Sequence, residues 1–392
     1  MTRFFGVLQS HRIQMALLLT LSVIGLGLTV NVWITKFPNV FWDLNVYQAA
    51  GAAFQSGQGA YAQDYHGLRF VYAPLVLWLF SLLGDWLTPL FLTLYAIITA
   101  WFVIAVPASL RWSLLLVFGV LFHYDLMLRA ALTGNLTIFA HLLIILLWLA
   151  PANILCRAAL LLTISMMALI KPYFAAYFML WGLRDGKITR DSLLAALALG
   201  LVILAWVAQA VLAPDSFAAF LNALDAQAGL GEGNPDIGIG IFRVALWLTH
   251  ASKPALALHV LVSVALIVGW LLWLRRPLAE TDGPAARLLL LTGPLILCLL
   301  INPRFKVYDI AAFYMLCIHA AYLWGRARPH LPILPVLGLA VGIFLTDQLD
   351  IPFKVTDTLR AVERGGRIAL MLAAFSFAVA AVTAIRGRDR TS

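Results

Sequence analysis

The chain has 392 residues, 63% of them apolar or aromatic and 11% charged, with a mean hydropathy of +0.93. Soluble globular proteins are roughly 45–50% apolar and about 25% charged, so a soluble enzyme, a disordered chain and a water-exposed repeat array are excluded. The formal charge of +9, from 27 Lys+Arg against 18 Asp+Glu, points to basic cytoplasmic loops and anionic lipid headgroups, and away from nucleic acid.

Lipid sets the element length. At about 20 apolar residues per crossing, the chain reads as one all-α, polytopic transmembrane domain over 1–392 with about 12 spans. Apolar runs fall at 13–34, 72–84, 86–108, 112–128, 133–150, 154–182, 192–213, 255–274, 285–301, 308–324, 331–349 and 367–385. The start, Met1 to Arg12 and then a long apolar run, has no small-residue cleavage site after a short core. It reads as a first span and not as a cleaved signal peptide.

A long outer loop, 35–71, follows the first span. Its segment Phe41-Trp42-Asp43-Leu44-Asn45-Val46-Tyr47 opens a short helix, with Leu44, Tyr47, Gly51 and Phe54 on one apolar stripe and Gly57 and Gly59 at its end. Such a helix beside a span lies in the membrane interface. Asp43 stands at its first position, where Asp is a favoured N-cap and where a rigidly placed carboxylate can act as general base. Then come Tyr61, Asp64, His66, Arg69, Phe70 and Tyr72, with Pro74 suited to the first turn of the next span.

Further along, His123, Asp125 and Arg129 form an intramembrane polar group, with Asp125 and Arg129 placed to pair at i,i+4. Asn135-Leu136-Thr137 fits a glycosylation sequon but falls at an inner membrane edge by span count, so it is set aside. Lys171 lies deep in an apolar run, where an ionisable group implies function and a buried partner. Pro172 breaks the helix there. The count places Lys171 nearer the inner half, with Asp125 as a competing partner. Cys156, Cys298 and Cys317 all sit in apolar segments and read as small hydrophobes.

A second outer loop, 214–254, carries Asp225, Glu232, Asn234 and Asp236 in a Gly-rich setting. Between two late spans, Asn302-Pro303-Arg304-Phe305-Lys306-Val307-Tyr308-Asp309 forms a short polar loop.

Basic clusters orient the chain. With the N-terminus inside, Arg3/Arg12, Arg184/Lys187/Arg190, Arg275/Arg276, Arg326/Arg328 and Arg386/Arg388/Arg390 all face the cytoplasm, as do both termini. Twelve cations fall outside: Lys36, Arg69, Arg111, Arg157, Arg243, Lys253, Arg304, Lys306, Lys354, Arg360, Arg364 and Arg367. They read equally as ordinary loop charge, or one miscounted span near 350–367, and as a basic cavity for an anionic substrate. The Ala/Leu-rich composition suits a bacterial inner membrane.

Asp43-Leu44-Asn45-Val46-Tyr47 resembles the D-x-x-V-Y pattern of the family-87 glycosyltransferases, membrane enzymes of the GT-C fold. Tyr61 with Phe70-Val71-Tyr72-Ala73-Pro74-Leu75 is similar to the family's Y…F-x-Y-P-P-L, with Ala73 in place of a proline. Thr133-Gly134-Asn135-Leu136-Thr137 stands where the family has G-Q-x-N, without the glutamine. Ile170-Lys171-Pro172 looks like its K-P element. Gly233-Asn234-Pro235 resembles its G-N-x-S region, without the serine. Asn302-Pro303 with Tyr308-Asp309 resembles its late S-P…Y/H-D element. Together these cover roughly residues 40–325.

The resemblance implies transfer of a mannosyl, arabinofuranosyl or related unit from a polyprenyl-phosphate donor to a lipid or glycan acceptor at the outer face, with Asp43 as the base. Inverting glycosidases need a second carboxyl to protonate the leaving oxygen. A phosphate leaving group needs charge neutralisation instead, so one base and one or more cations suffice. The candidate phosphate partners are Arg304, Lys306, Arg69 and Lys171, and the candidate substrate contacts are Tyr47, Tyr72, His66, Asn234 and Asp309. No metal or cofactor is called for. A transporter or flippase of lipid-linked sugars is the alternative, since a basic cavity serves both; no inverted repeat is visible in the sequence.

Overall fold

The computed structural model describes residues 41–65, 68–94, 97, 133–150, 153–182, 188–229, 241–274, 284–302 and 309. Among these residues every regular element is helical, and one antiparallel bridge joins Tyr65 to Leu68. In chain order the helices are α1 (Trp42–Gln55), α2 (Pro74–Leu83), α3 (Leu136–Leu149), α4 (Ile154–Ile170), α5 (Arg190–Leu212), α6 (Pro214–Gly229), α7 (Ile241–Thr249), α8 (Ser252–Gly269) and α9 (Pro284–Ile301). A 3₁₀ turn, Gly84–Trp86, follows α2, a 3₁₀ segment, Pro172–Trp181, follows α4, and a π turn, Trp270–Leu274, extends α8.

Among the described residues, three helical stretches are long and apolar enough to cross a membrane: Pro74–Leu94, Arg190–Leu212 and Lys253–Leu272. Their surfaces suit lipid. On α5, Leu193, Leu197, Leu201 and Leu204 are all exposed, whereas only Ala195 and Val202 are buried. An apolar face of that extent in water would be an aggregation surface.

The apolar runs divide differently from the hydropathy reading in two places. Runs 72–84 and 86–108 were expected to be separate spans; Gly84–Trp86 is instead a single 3₁₀ turn inside the helical stretch Pro74–Leu94. Run 154–182 was expected to be one long span; it is two antiparallel pieces. Proline pushes the residue before it out of the α region, and Lys171 accordingly has φ −137° and ψ 98°. The chain reverses there. The 3₁₀ segment then runs alongside α3, with Phe174 stacked on His141 and Trp181 edge-on to Trp148.

These contacts define two ends of the bundle. At the far end, Arg287 at the start of α9 donates to the carbonyls of Trp148 and Ala150, which end α3, and Trp148 Nε1 donates to the Arg287 carbonyl at 2.6 Å. A cation at a helix C-terminus meets the negative end of its dipole. Arg157 and Asp191 pair there at 2.7 Å, and Ser192 Oγ donates to the carbonyl of Gly182. At the near end α5 finishes against α2. Gln209 Oε1 accepts from the Leu75 N–H at 2.8 Å, which satisfies a first-turn donor that Pro74 leaves without an intrahelical partner.

The two ends correct three expectations. Asn135 was placed at an inner edge, yet it contacts Asp43 at the near end. Arg157 was placed outside, yet it pairs beside Arg190 at the far end. Lys171 was placed toward the inner half and belongs to the near end. The expected spans beyond residue 309, and those at 13–34 and 112–128, lie outside the described residues, as does the polar group of His123, Asp125 and Arg129.

Candidate active site

The helix predicted after Phe41 is present as α1, but it starts two residues earlier than the capping reading requires. Trp42 is its first residue, Phe41 precedes it in a left-handed conformation (φ 59°, ψ 35°), and Asp43 lies in the first turn. The carboxylate is half-buried and accepts from Asn135 Nδ2 at 2.9 Å. It stands near the positive end of the helix dipole, which favours its charged form. Leu44, Tyr47 and Gly51 of the predicted stripe are buried, whereas Phe54 is exposed. A Cβ at Gly51 would stand 3.0 Å from Ser81 Cα and 3.1 Å from the Phe80 backbone. The absence of a side chain there lets α1 cross tightly over α2, the usual use of small residues between membrane helices.

Asn135 is the N-cap of α3, its Oδ1 accepting from the Thr137 N–H at 2.9 Å. The same Oδ1 accepts from Thr137 Oγ1 at 2.6 Å and from Lys171 Nζ at 3.2 Å. Lys171 Nζ also donates to Thr137 Oγ1 and lies 5.9 Å from the centroid of the Tyr72 ring. One amide thus stands between a carboxylate and an ammonium. The Lys171-Pro172 break brings this about: it halts α4 at the level of Asn135 and turns the lysine off the helix axis.

Gly134 supports this arrangement. Its φ is +68°, and a Cβ there would lie 2.9 Å from Leu44 Cβ. Gly134→Ala is expected to cost about 1–2 kcal/mol from the left-handed conformation alone and to push Asn135 away from α1. Thermal unfolding of the purified protein in detergent checks this; an unchanged midpoint would show that the turn relaxes freely.

Aromatic residues wall the cluster. Tyr47 and Tyr72 share a hydrogen bond of 2.8 Å between hydroxyls, and Tyr47 stacks on Phe80 at 4.8 Å. Tyr61 donates to the carbonyl of Tyr72 at 2.9 Å and packs against Phe70 and Phe220. Burial pushes the Tyr61 phenol well above its usual range, so it stays a neutral donor. Arg69 is half-buried and precedes Phe70, whose ring meets Tyr72 at 5.4 Å. On the other side, the side chains of Tyr173 and Thr137 hydrogen-bond, and Asp309 lies close enough to act electrostatically on Tyr173 and Cys298. One turn deeper, His141 Nδ1 and Tyr177 Oη are 2.6 Å apart.

Of the ten residues singled out from sequence, Asp43, Tyr47, Tyr72, Lys171 and Asp309 gather at this cluster, and Arg69 adjoins Phe70 of its aromatic wall in the chain. His66, Asn234, Arg304 and Lys306 lie outside the described residues. Sequence reasoning passed over Asn135, Thr137 and Tyr173. The signal for the first two was present in Gly134-Asn135-Leu136-Thr137, which combines a glycine turn, a capping residue and a hydroxyl two residues on. No family model, curated protein or solved structure matches the chain.

Proposed function

We propose that the chain is a membrane glycosyltransferase resembling family 87. It would move a hexosyl or pentosyl unit from a polyprenyl-phosphate donor to a lipid or glycan acceptor, with inversion. The observation that carries this reading is the Asp43–Asn135–Lys171 group, a carboxylate and an ammonium on either side of one amide. The acceptor hydroxyl attacks the anomeric carbon and its proton passes to Asp43. The bond from that carbon to the phosphate oxygen breaks, its electron pair stays on the phosphate, and Lys171 offsets the charge that develops there. Electrostatic stabilisation of this kind is often the largest single contribution to catalysis. The tyrosine wall offers flat faces and hydroxyls for a sugar.

Orientation follows from the far end, which holds Arg157, Arg190 and Arg287. Positive residues favour the cytoplasmic side; in this reading the near end faces the periplasm or exterior of a bacterial inner membrane, and the basic clusters of the sequence put both termini inside.

The test is to incubate purified protein with a panel of polyprenyl-phosphate sugars and lipid or glycan acceptors, and to follow sugar transfer by mass spectrometry. We expect transfer from at least one donor with release of polyprenyl phosphate. The broken helix at Lys171-Pro172 favours a second reading, a flippase, since transporters place discontinuous helices at their substrate sites. Movement of intact lipid-linked sugar across vesicles, with no transfer, would select that reading.

A further inference from the structure

We infer that Asn135 is a positioning residue that fixes the orientation of the Asp43 carboxylate and ties it to Lys171; the inference rests on the transferase reading for its kinetic consequences but not for its geometry. A side-chain amide has one acceptor end and one donor end, and the two are set by their partners. The acceptor end of Asn135 receives three donors: the Thr137 N–H, the Thr137 hydroxyl and the Lys171 ammonium. Turning the amide over would set its NH₂ against the Thr137 N–H and the Lys171 ammonium, neither of which can accept. Nδ2 is therefore directed at Asp43 Oδ2, which it meets at 2.9 Å. Asn135 is only 7% exposed and Thr137 only 1%, so water does not compete for these bonds.

The consequence is functional. An aspartate in the first turn of a helix has free rotamers, and a general base must be held within hydrogen-bond reach of the hydroxyl it serves. Asn135 removes that freedom. Because the same amide touches Lys171, the base and the cation keep one spacing.

Asn135→Asp and Thr137→Val test this. In Asn135→Asp a second carboxyl group would stand against Asp43, and two carboxylates sharing a site hold a proton to higher pH. Among the described residues, the charged and titratable groups around the pair are Lys171 from the end of α4, Tyr47 from α1, Tyr72 before α2, Tyr173 from the 3₁₀ segment and Asp309. We expect the acidic limb of the pH–rate profile to move up by about one pH unit or more, with activity partly recovered at high pH. Thr137→Val keeps the volume and the cap, and it removes one of the three donors together with one acceptor of the Lys171 ammonium, so the KM for the donor is read beside kcat. We expect kcat to fall about 10-fold, since small misplacements of reacting groups are costly, with the melting temperature little changed.

Carbodiimide labelling of Asp43 against pH, read by peptide mass spectrometry, supplies a measure independent of activity, because the reagent takes the protonated carboxyl. Its midpoint should rise in Asn135→Asp. If the wild type transfers no sugar and the midpoint still rises, the positioning contact stands and the transferase reading falls. If transfer occurs but neither the pH profile nor the labelling responds, the positioning role is overturned and the transferase reading stands. Should Asn135→Asp fail to fold, Thr137→Val decides alone: unchanged kcat per folded molecule overturns the inference.

Discussion

Asp43→Asn is expected to abolish sugar transfer, by about 10²–10⁴-fold in kcat, the usual contribution of a positioned general base. The substitution is mild structurally. The carboxamide oxygen can still accept from Asn135 Nδ2, the bond that holds the carboxylate at 2.9 Å, so α1 should keep its contact with the Gly134 turn. Asp43→Ala is the harsher change, because it takes an acceptor from a buried amide, at about 1–3 kcal/mol. The asparagine variant also leaves Lys171 with one negative neighbour fewer, so an anionic donor should bind at least as well. The expected pattern is therefore a collapsed kcat with an unchanged or lowered KM for the donor. Initial rates at saturating acceptor, with a melting curve on the same preparation, read both. Full activity in both variants would remove Asp43 from the chemistry and, with it, the base of the proposed mechanism.

Much of this arrangement was legible in the sequence. The acid at the head of a short helix, the tyrosines after it, Pro74 at a helix start and the Lys171-Pro172 break are all local features. Each acts through its own backbone: a proline that cannot donate, or a glycine stripe that packs. Direction was not legible. Hydropathy reports how apolar a segment is and carries no sign for which way the chain runs. Run 154–182 is apolar on both sides of Lys171-Pro172, so the break reads equally as a kink within one span and as a reversal. Conversely Gly84-Asp85-Trp86 is polar enough to resemble a loop, although one 3₁₀ turn carries it within a continuous stretch. The span count put Asn135 and Asp43 on opposite sides, and the sequon at Asn135 was set aside on that count, whereas the two side chains touch.

Lys171→Met is expected to cut sugar transfer by about 10²–10³-fold, the range for removing one preorganised group that stabilises developing charge. Methionine matches the length of the lysine stem and withdraws only the ammonium. Asn135 and Thr137 keep their mutual hydrogen bond of 2.6 Å, so the variant leaves the carboxylate side of the group in place. Stability should move the other way from activity. A half-buried ammonium among apolar helices is costly even when hydrogen-bonded, and replacing it by an apolar group of similar size is often neutral or stabilising. The melting temperature should hold or rise while the KM for the donor increases and inhibition by added polyprenyl phosphate weakens. Lys171→Arg should recover part of the rate, limited by how a wider planar cation fits between Thr137 and the Tyr72 ring. A lower melting temperature with normal donor kinetics in the surviving protein would make Lys171 a structural ligand of the α3 N-terminus. The phosphate would then have to be held by cations elsewhere, with Arg69, adjoining Phe70 in the chain, and Arg304 and Lys306 of the late polar loop next to be tested.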